Sequence, residues 1–185
     1  MTRVVWLHSN RRALGFGVLS LATILCACIL GALGVDSLWG RWASAIVAIP
    51  VSLFLAVAIW QLASPRLAYE NRELLVFLRF GSPLRVPIDV VECFFLGQGP
   101  SLLPRPLSDP DAVDETSTII VRLAESAEEW KHLEVKPTLG LWCDGYITIR
   151  GTWCERITPE LAKCLNEKLI EAHREVRSKE VLPTA

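Results

Sequence analysis

Two long apolar runs dominate the hydrophobic pattern of this chain. Leu14 to Val35 continues for 22 residues without a charged side chain, and Ala43 to Ala63 for 21 more. A helix needs about 20 apolar residues to cross a ~30 Å hydrocarbon core, and neither run keeps the polar face of a soluble amphipathic helix. The pattern predicts helices at 14–35 and 43–63. The short link from Asp36 to Trp42 makes them antiparallel neighbours. Trp39 and Trp42 fall in that link and Trp60 near the far end of the second helix, where indole rings favour the headgroup region. Small residues at four-residue spacing form two ridges, Ser44–Ala48–Ser52–Ala56 and Thr23–Ala27–Gly31, which suit close helix packing in lipid. Pro50 is a potential kink.

Beyond Ser64 the pattern changes to strand type. Glu73 to Phe80 is rich in β-formers and follows the turn-like Glu70-Asn71-Arg72. Gly81-Ser82-Pro83 then breaks the chain before Leu84–Ile88, which predicts a hairpin. Val90–Leu96, Thr118–Ala124, Trp130–Val135 and Tyr146–Arg150 are further predicted strands. A polar, proline-rich connector spans Gly97 to Ser117, long enough to be a mobile or functional loop. The chain closes with an amphipathic helix over 158–177. Thr158 is placed to cap it, Pro159 and Glu160 suit its first turn, and Leu161, Leu165, Leu169, Ala172 and Val176 form one apolar stripe.

Composition sharpens the boundary between the two regions. Of 185 residues 51% are hydrophobic and the mean hydropathy is +0.35, yet the only charges before Ser64 are Arg3, Arg11, Arg12, Asp36 and Arg41. The remainder has an ordinary globular charge density, with acidic residues in excess. The organisation expected is therefore a tail at 1–13, a transmembrane hairpin at 14–63, a soluble β-rich domain at 64–178 and a tail at 179–185. Basic residues before the hairpin (Arg3, Arg11, Arg12) and after it (Arg66, Arg72) outnumber the single Arg41 between the helices, which places both termini in the cytoplasm. Arg11-Arg12 ahead of an apolar run also fits a secretory signal, and Leu25-Cys26-Ala27-Cys28 has the outline of a lipoprotein cleavage box. The run continues past that box to full spanning length, and a retained anchor is the favoured reading.

The order of elements resembles that of bacterial membrane proteins with a pleckstrin-homology-like (PH-like) domain directly after paired transmembrane helices. Arg66-Leu-Ala-Tyr-Glu-Asn-Arg-Glu-Leu-Leu-Val76 is similar to the first strand and turn of such a domain, and Arg85-Val-Pro-Ile-Asp-Val-Val-Glu92 to the segment that follows. The resemblance implies an α+β fold in which the hairpin precedes a PH-like antiparallel β-sandwich or barrel capped by the C-terminal amphipathic helix. It also implies a binding or scaffolding role. Phosphoinositide recognition is not carried over, because it needs clustered Lys and Arg and the soluble region has no basic run beyond pairs.

Candidate chemistry centres on the cysteines. Cys26 and Cys28 lie in the first apolar run. Cys93, Cys143, Cys154 and Cys164 form no closely spaced pair, so neither structural zinc nor any other metal or cofactor is expected. The most unusual local sequence is Leu141-Trp-Cys-Asp-Gly-Tyr146 followed by Arg150-Gly-Thr-Trp-Cys-Glu-Arg156, with Asp144-Gly145 as a turn. An enzyme would use Cys143 or Cys154 as a nucleophile supported by Asp144 and a histidine, His132 or His173. The reading preferred is structural, with no catalytic residue. Trp142, Asp144, Arg150 and Trp153 are then the residues offered for recognition of another protein. The expected role is a membrane-anchored scaffold or protein-interaction module whose partners are the lipid bilayer and another protein, including a membrane protein, and not nucleic acid. The alternatives are a thiol-dependent enzyme and an accessory subunit whose hairpin packs into a larger membrane complex.

Overall fold

A computed structural model describes residues 3–34, 37–79, 81–100 and 115–180. The chain divides into two units: Ser9–Ser64 forms one, and the residues before and after it together form the other.

The first unit is a pair of helices, α1 (Arg11–Gly34) and α2 (Leu38–Ala63). Both are long and apolar enough to cross a membrane over Leu14–Gly34 and Trp42–Ala63, and those stretches bury none of their length inside the structure. Phe16, Leu30, Leu33, Ile46, Ile49 and Leu53 point outward with large apolar surfaces. In water such a surface is costly; in hydrocarbon it is not. Hydroxyls are satisfied within their own helix: Ser44 Oγ donates to Gly40 O at 3.0 Å, and Ser52 Oγ to Ala48 O at 2.8 Å. A β-carbon at Gly31 would meet Ser44 Oγ at 3.7 Å, so the two small-residue ridges face one another there. Ser37 caps α2, its side chain accepting from Gly40 N, and Pro50 lies inside α2 without dividing it.

The second unit holds two antiparallel four-stranded sheets and one helix. The first sheet has the order β1-β2-β3-β4, with β1 Val4–Leu7, β2 Leu67–Glu70, β3 Glu73–Val76 and β4 Leu84–Pro87. The second has the order β5-β6-β8-β7, with β5 Val91–Pro100, β6 Glu115–Leu123, β7 Gly140–Cys143 and β8 Tyr146–Arg150. Helix α3 runs from Pro159 to Glu180. The sheets remain separate, so no closed barrel forms among the described residues; of the sandwich or barrel expected, the structure shows two sheets and a C-terminal helix.

Strand β1 falls within the segment read as a tail. Val4-Val-Trp-Leu7 is β-branched and aromatic, hence well suited to a strand, and it pairs with β2 through Val4↔Tyr69, Val5↔Ala68 and Leu7↔Leu67. Trp6 is buried at 3% exposure, stacked on Tyr69 and edge-on to Phe94. The two strands that bracket the helical pair in sequence are therefore neighbours in one sheet.

Trp130–Val135 is not a strand. Its polar groups follow no strand pattern: Trp130 O accepts from the Trp142 side chain and Lys131 O from Gly145 N, both on the β7–β8 hairpin, while Trp130 N donates to Ala127 O and Lys131 N to Glu128 O within a local turn, and the next residue, Lys136, donates through N to Leu78 O. That scatter cannot build a ladder, and Trp130, Leu133 and Val135 all pack on the core instead of alternating. Gly97–Pro100, expected in the connector, extends β5 and pairs with Glu115–Thr118. The rest of that connector, 101–114, lies outside the described residues.

Helix α3 starts as its sequence implies, with Thr158 Oγ1 accepting from Leu161 N at 3.3 Å. Its buried stripe is Ala162, Leu165, Leu169, Ala172 and Val176. Asn166 on the same helix reaches β5: its Oδ1 accepts from Phe94 N at 2.9 Å and its Nδ2 donates to Phe94 O at 2.7 Å.

Candidate functional site at the β7–β8 hairpin

The β7–β8 hairpin turns through Asp144 and Gly145, both with positive φ (53° and 77°). A two-residue turn of this hand matches the twist of the strands, and Asp-Gly is among the pairs that adopt it most readily. Alternation along β7 sends Gly140 and Trp142 inward and Leu141 and Cys143 outward. Trp142 Nε1 donates to Trp130 O at 2.6 Å while the two indoles stack at 6.4 Å. Gly145 N donates to Lys131 O at 3.2 Å. These contacts hold residues 130–132 against the turn.

One consequence is that His132, which no sequence spacing tied to Cys143 and Asp144, comes to lie beside both. His132 Nε2 lies 3.3 Å from Asp144 Oδ1, and the Cys143 thiol donates to Asp144 Oδ2 at 3.5 Å. Donor atoms of all three residues fall within 4.8 Å of one another. The pairing was hidden because 130–135 reads as a strand; the signal that could have shown it is the Trp130–Trp142 pair flanking the Asp-Gly turn.

The order of contacts matters chemically. A thiol is activated when an imidazole takes its proton and a carboxylate orients that imidazole. Here the carboxylate sits in the middle, bonded to both other groups. Its hydrogen bond holds the Cys143 pKa above the ordinary value, with desolvation and the Asp144 charge adding to the same effect. Cys154 is no better placed. It is buried, its thiol donates to Arg150 O at 3.2 Å, and burial pushes its pKa up to about 12. His173 bonds to Ile88 O through Nε2. Neither thiol has the geometry of a nucleophile.

The four residues offered for recognition do not converge. Trp142 is only 4% exposed and belongs to the core, so it cannot face a partner; an inward position on β7 decides this. Asp144 is exposed at the turn. Arg150 is at the opposite end of β8, roughly 20 Å away at ~3.3 Å per residue, its Nε donating to Pro137 O. Trp153 packs on the core, and its carbonyl accepts from Arg66 Nε.

A different surface emerges from the register of the second sheet. Leu141 pairs with Thr148, Thr148 with Ile120, and Ile120 with Phe95. Directly paired residues share a face, and the adjacent row, Trp142–Ile147–Val121–Phe94, is buried. The Leu141–Thr148–Ile120–Phe95 row therefore lies on the outer face. Tyr146 joins it edge-on to Phe95 at 6.3 Å, with Leu141 55% and Tyr146 41% exposed.

The fold defines an α+β protein with two helices apolar enough to cross a membrane and a β-rich unit built from residues on both sides of them. No family model, curated protein or solved structure matches the chain.

Proposed function

We propose that this protein is a membrane-anchored scaffold or protein-interaction module. Its two apolar helices sit in the bilayer, and its β-rich unit, PH-like in arrangement, contacts another protein. The observation that carries this reading is the outer face of the second sheet, where Phe95, Ile120, Leu141 and Tyr146 form a partly apolar, aromatic row. Aromatic side chains give large contact area at low entropic cost, which is why they anchor protein interfaces.

The hairpin's connectivity supports the orientation. Because β1 and β2 are neighbours in one sheet, a spanning hairpin must enter and leave the bilayer on the same side. The excess of arginine at those two ends makes that side the cytoplasm, in a plasma or inner membrane. Two four-stranded sheets followed by a C-terminal helix accord with a PH-like module, the strand ahead of the helices being a departure from the simple order of hairpin then domain.

A photo-crosslinking residue at position 141, with one at Ser178 on α3 as the control, tests the role in intact cells. A discrete adduct from 141 and none from 178 is the expected result. Equal labelling from both positions, or none from 141, would refute the outer-face surface. Replacing 9–64 with an unrelated hairpin separates this role from that of an accessory subunit: the adduct persists if the β-rich unit holds the partner. Digestion of the β-rich unit by protease outside intact cells would overturn the orientation.

A further inference from the structure

We propose that His132, Cys143 and Asp144 form a binding site for a zinc-type divalent cation. The ligand types are the first argument. Thiolate and imidazole together select zinc, cobalt or other borderline-to-soft metals over magnesium or calcium, and a carboxylate oxygen is an accepted third ligand type for zinc. The spacing of the cysteines argues against zinc only if the ligands come from C-x-x-C units. In the fold they come instead from a hairpin turn and from a segment that the hairpin holds beside it.

Geometry is the second argument. Tetrahedral zinc with bonds of about 2.0–2.3 Å has ligand-to-ligand edges of roughly 3.3–3.7 Å. The His132–Asp144 separation is 3.3 Å and the Cys143–Asp144 separation 3.5 Å, both already at that length. Only the sulfur-to-imidazole edge, which lies within the 4.8 Å limit, has to be set by the ring, and the His132 side chain is 65% exposed and free to turn.

The third argument is support. Cys143 and Asp144 belong to a two-residue hairpin whose Gly145 is bonded through N to Lys131 O and through O to Leu123 N. Trp142 and Trp130 fasten the strand that leads into the turn to the residues before His132. Ligands on such a hairpin are held with little conformational entropy left to lose. Lys131, next to His132 in the chain, is engaged by Glu128 at 2.8 Å.

Binding replaces the Cys143–Asp144 hydrogen bond and the His132–Asp144 contact with three metal bonds. The Cys143 thiol proton passes to solvent, the His132 ring takes the tautomer that carries its proton on Nδ1 so that Nε2 offers its lone pair, and one Asp144 oxygen donates from the charged carboxylate. The fourth position is left to water. The product is a neutral cluster, thiolate and carboxylate together balancing the cation, where the free hairpin tip carries the negative charge of Asp144, beside Tyr146 on the outer face.

The test uses the full chain in detergent micelles with Co2+ and Zn2+ as probes. One equivalent of Co2+ should give a sulfur-to-cobalt charge-transfer band with tetrahedral d–d bands, and Zn2+ should displace it. C143S should abolish the band. H132A and D144N should each weaken binding at least about tenfold, the lower end of the loss caused by removing even an outer-shell partner. Zn2+ should protect Cys143, but not Cys93 or Cys164, from alkylation. All three ligands are at the surface and Asn tolerates the positive φ at 144, so the variants should stay folded; retained protection of Cys154 checks this. Absence of the band, its persistence in C143S, or unchanged affinity in H132A and D144N would each overturn the site, the last outcome reducing it to a lone thiol.

Discussion

Asn166 is the side chain whose loss the structure prices most clearly. Strand β5 is an edge of the second sheet, and Phe94 turns both its backbone N–H and its C=O away from β6 toward α3. Asn166 serves both groups and also donates to Ala162 O at 2.9 Å. Asn166→Ala leaves two backbone groups without that partner. An unsatisfied buried polar group costs about 1–3 kcal/mol. Because the site is half-buried and water can enter, the lower part of the range applies to each group, giving a total of about 2–3 kcal/mol. At 1.36 kcal/mol per tenfold, the population of the open state rises roughly 30- to 150-fold.

Cys154 offers a way to read that population in a membrane protein. It is buried in the same core as Phe94, so its alkylation under slow-labelling conditions reports opening of the β-rich unit. Asn166→Asp adds a sign test. Ionised, the new side chain can still accept from Phe94 N–H but sets a second oxygen against two carbonyls; protonated, it can donate to one of them. Its folded pKa is therefore raised, and its stability relative to wild type is greatest below the unfolded value of about 3.9 and is lost as pH rises. An Asn166→Ala variant that labels at Cys154 within about twofold of wild type would refute the reasoning, since twofold is only ~0.4 kcal/mol. So would an Asn166→Asp deficit that is the same at low and neutral pH.

Four further outcomes are expected. Gly140→Ala should destabilise by about 1–3 kcal/mol, because its β-carbon would collide with the Thr148 backbone oxygen and press on Leu78; denaturant titration of tryptophan fluorescence measures it. Arg72→Gly should stabilise by roughly 0.5–1 kcal/mol, since Arg72 holds φ 67° in the β2–β3 turn; the same titration applies. Above pH 9 stability should fall, because the unfolded chain releases the Cys154 proton near 9.0 while the folded thiol holds it to about 12. The full slope is about 1.4 kcal/mol per pH unit, with Tyr69, also raised by burial, acting in the same direction, and Cys154→Ala should make the decline shallower. Asp144→Asn removes the charge and weakens the bond that hold the Cys143 thiol protonated, so metal-free Cys143 should alkylate faster at pH 8 in the variant; an unchanged rate would count against that bond.

The sequence alone determined what depends on neighbouring residues. The two apolar runs are legible because spanning length and absence of charge are local properties. Asp144-Gly145 is legible because positive φ is a residue preference, and Thr158 because a cap bonds within its own turn. Tertiary structure decided whatever required distant partners. Val4–Leu7 is too short to show a period and becomes a strand only where β2 lies beside it, across the whole helical pair. Trp130–Val135 has a strand's composition, but the backbone groups of Trp130 and Lys131 find partners in their own turn and on the β7–β8 hairpin instead of in a ladder. The same docking moves Trp142 from a proposed surface into the core and brings His132 to Asp144. The outer row of Leu141, Ile120 and Phe95 exists only through strand register, which no single segment encodes.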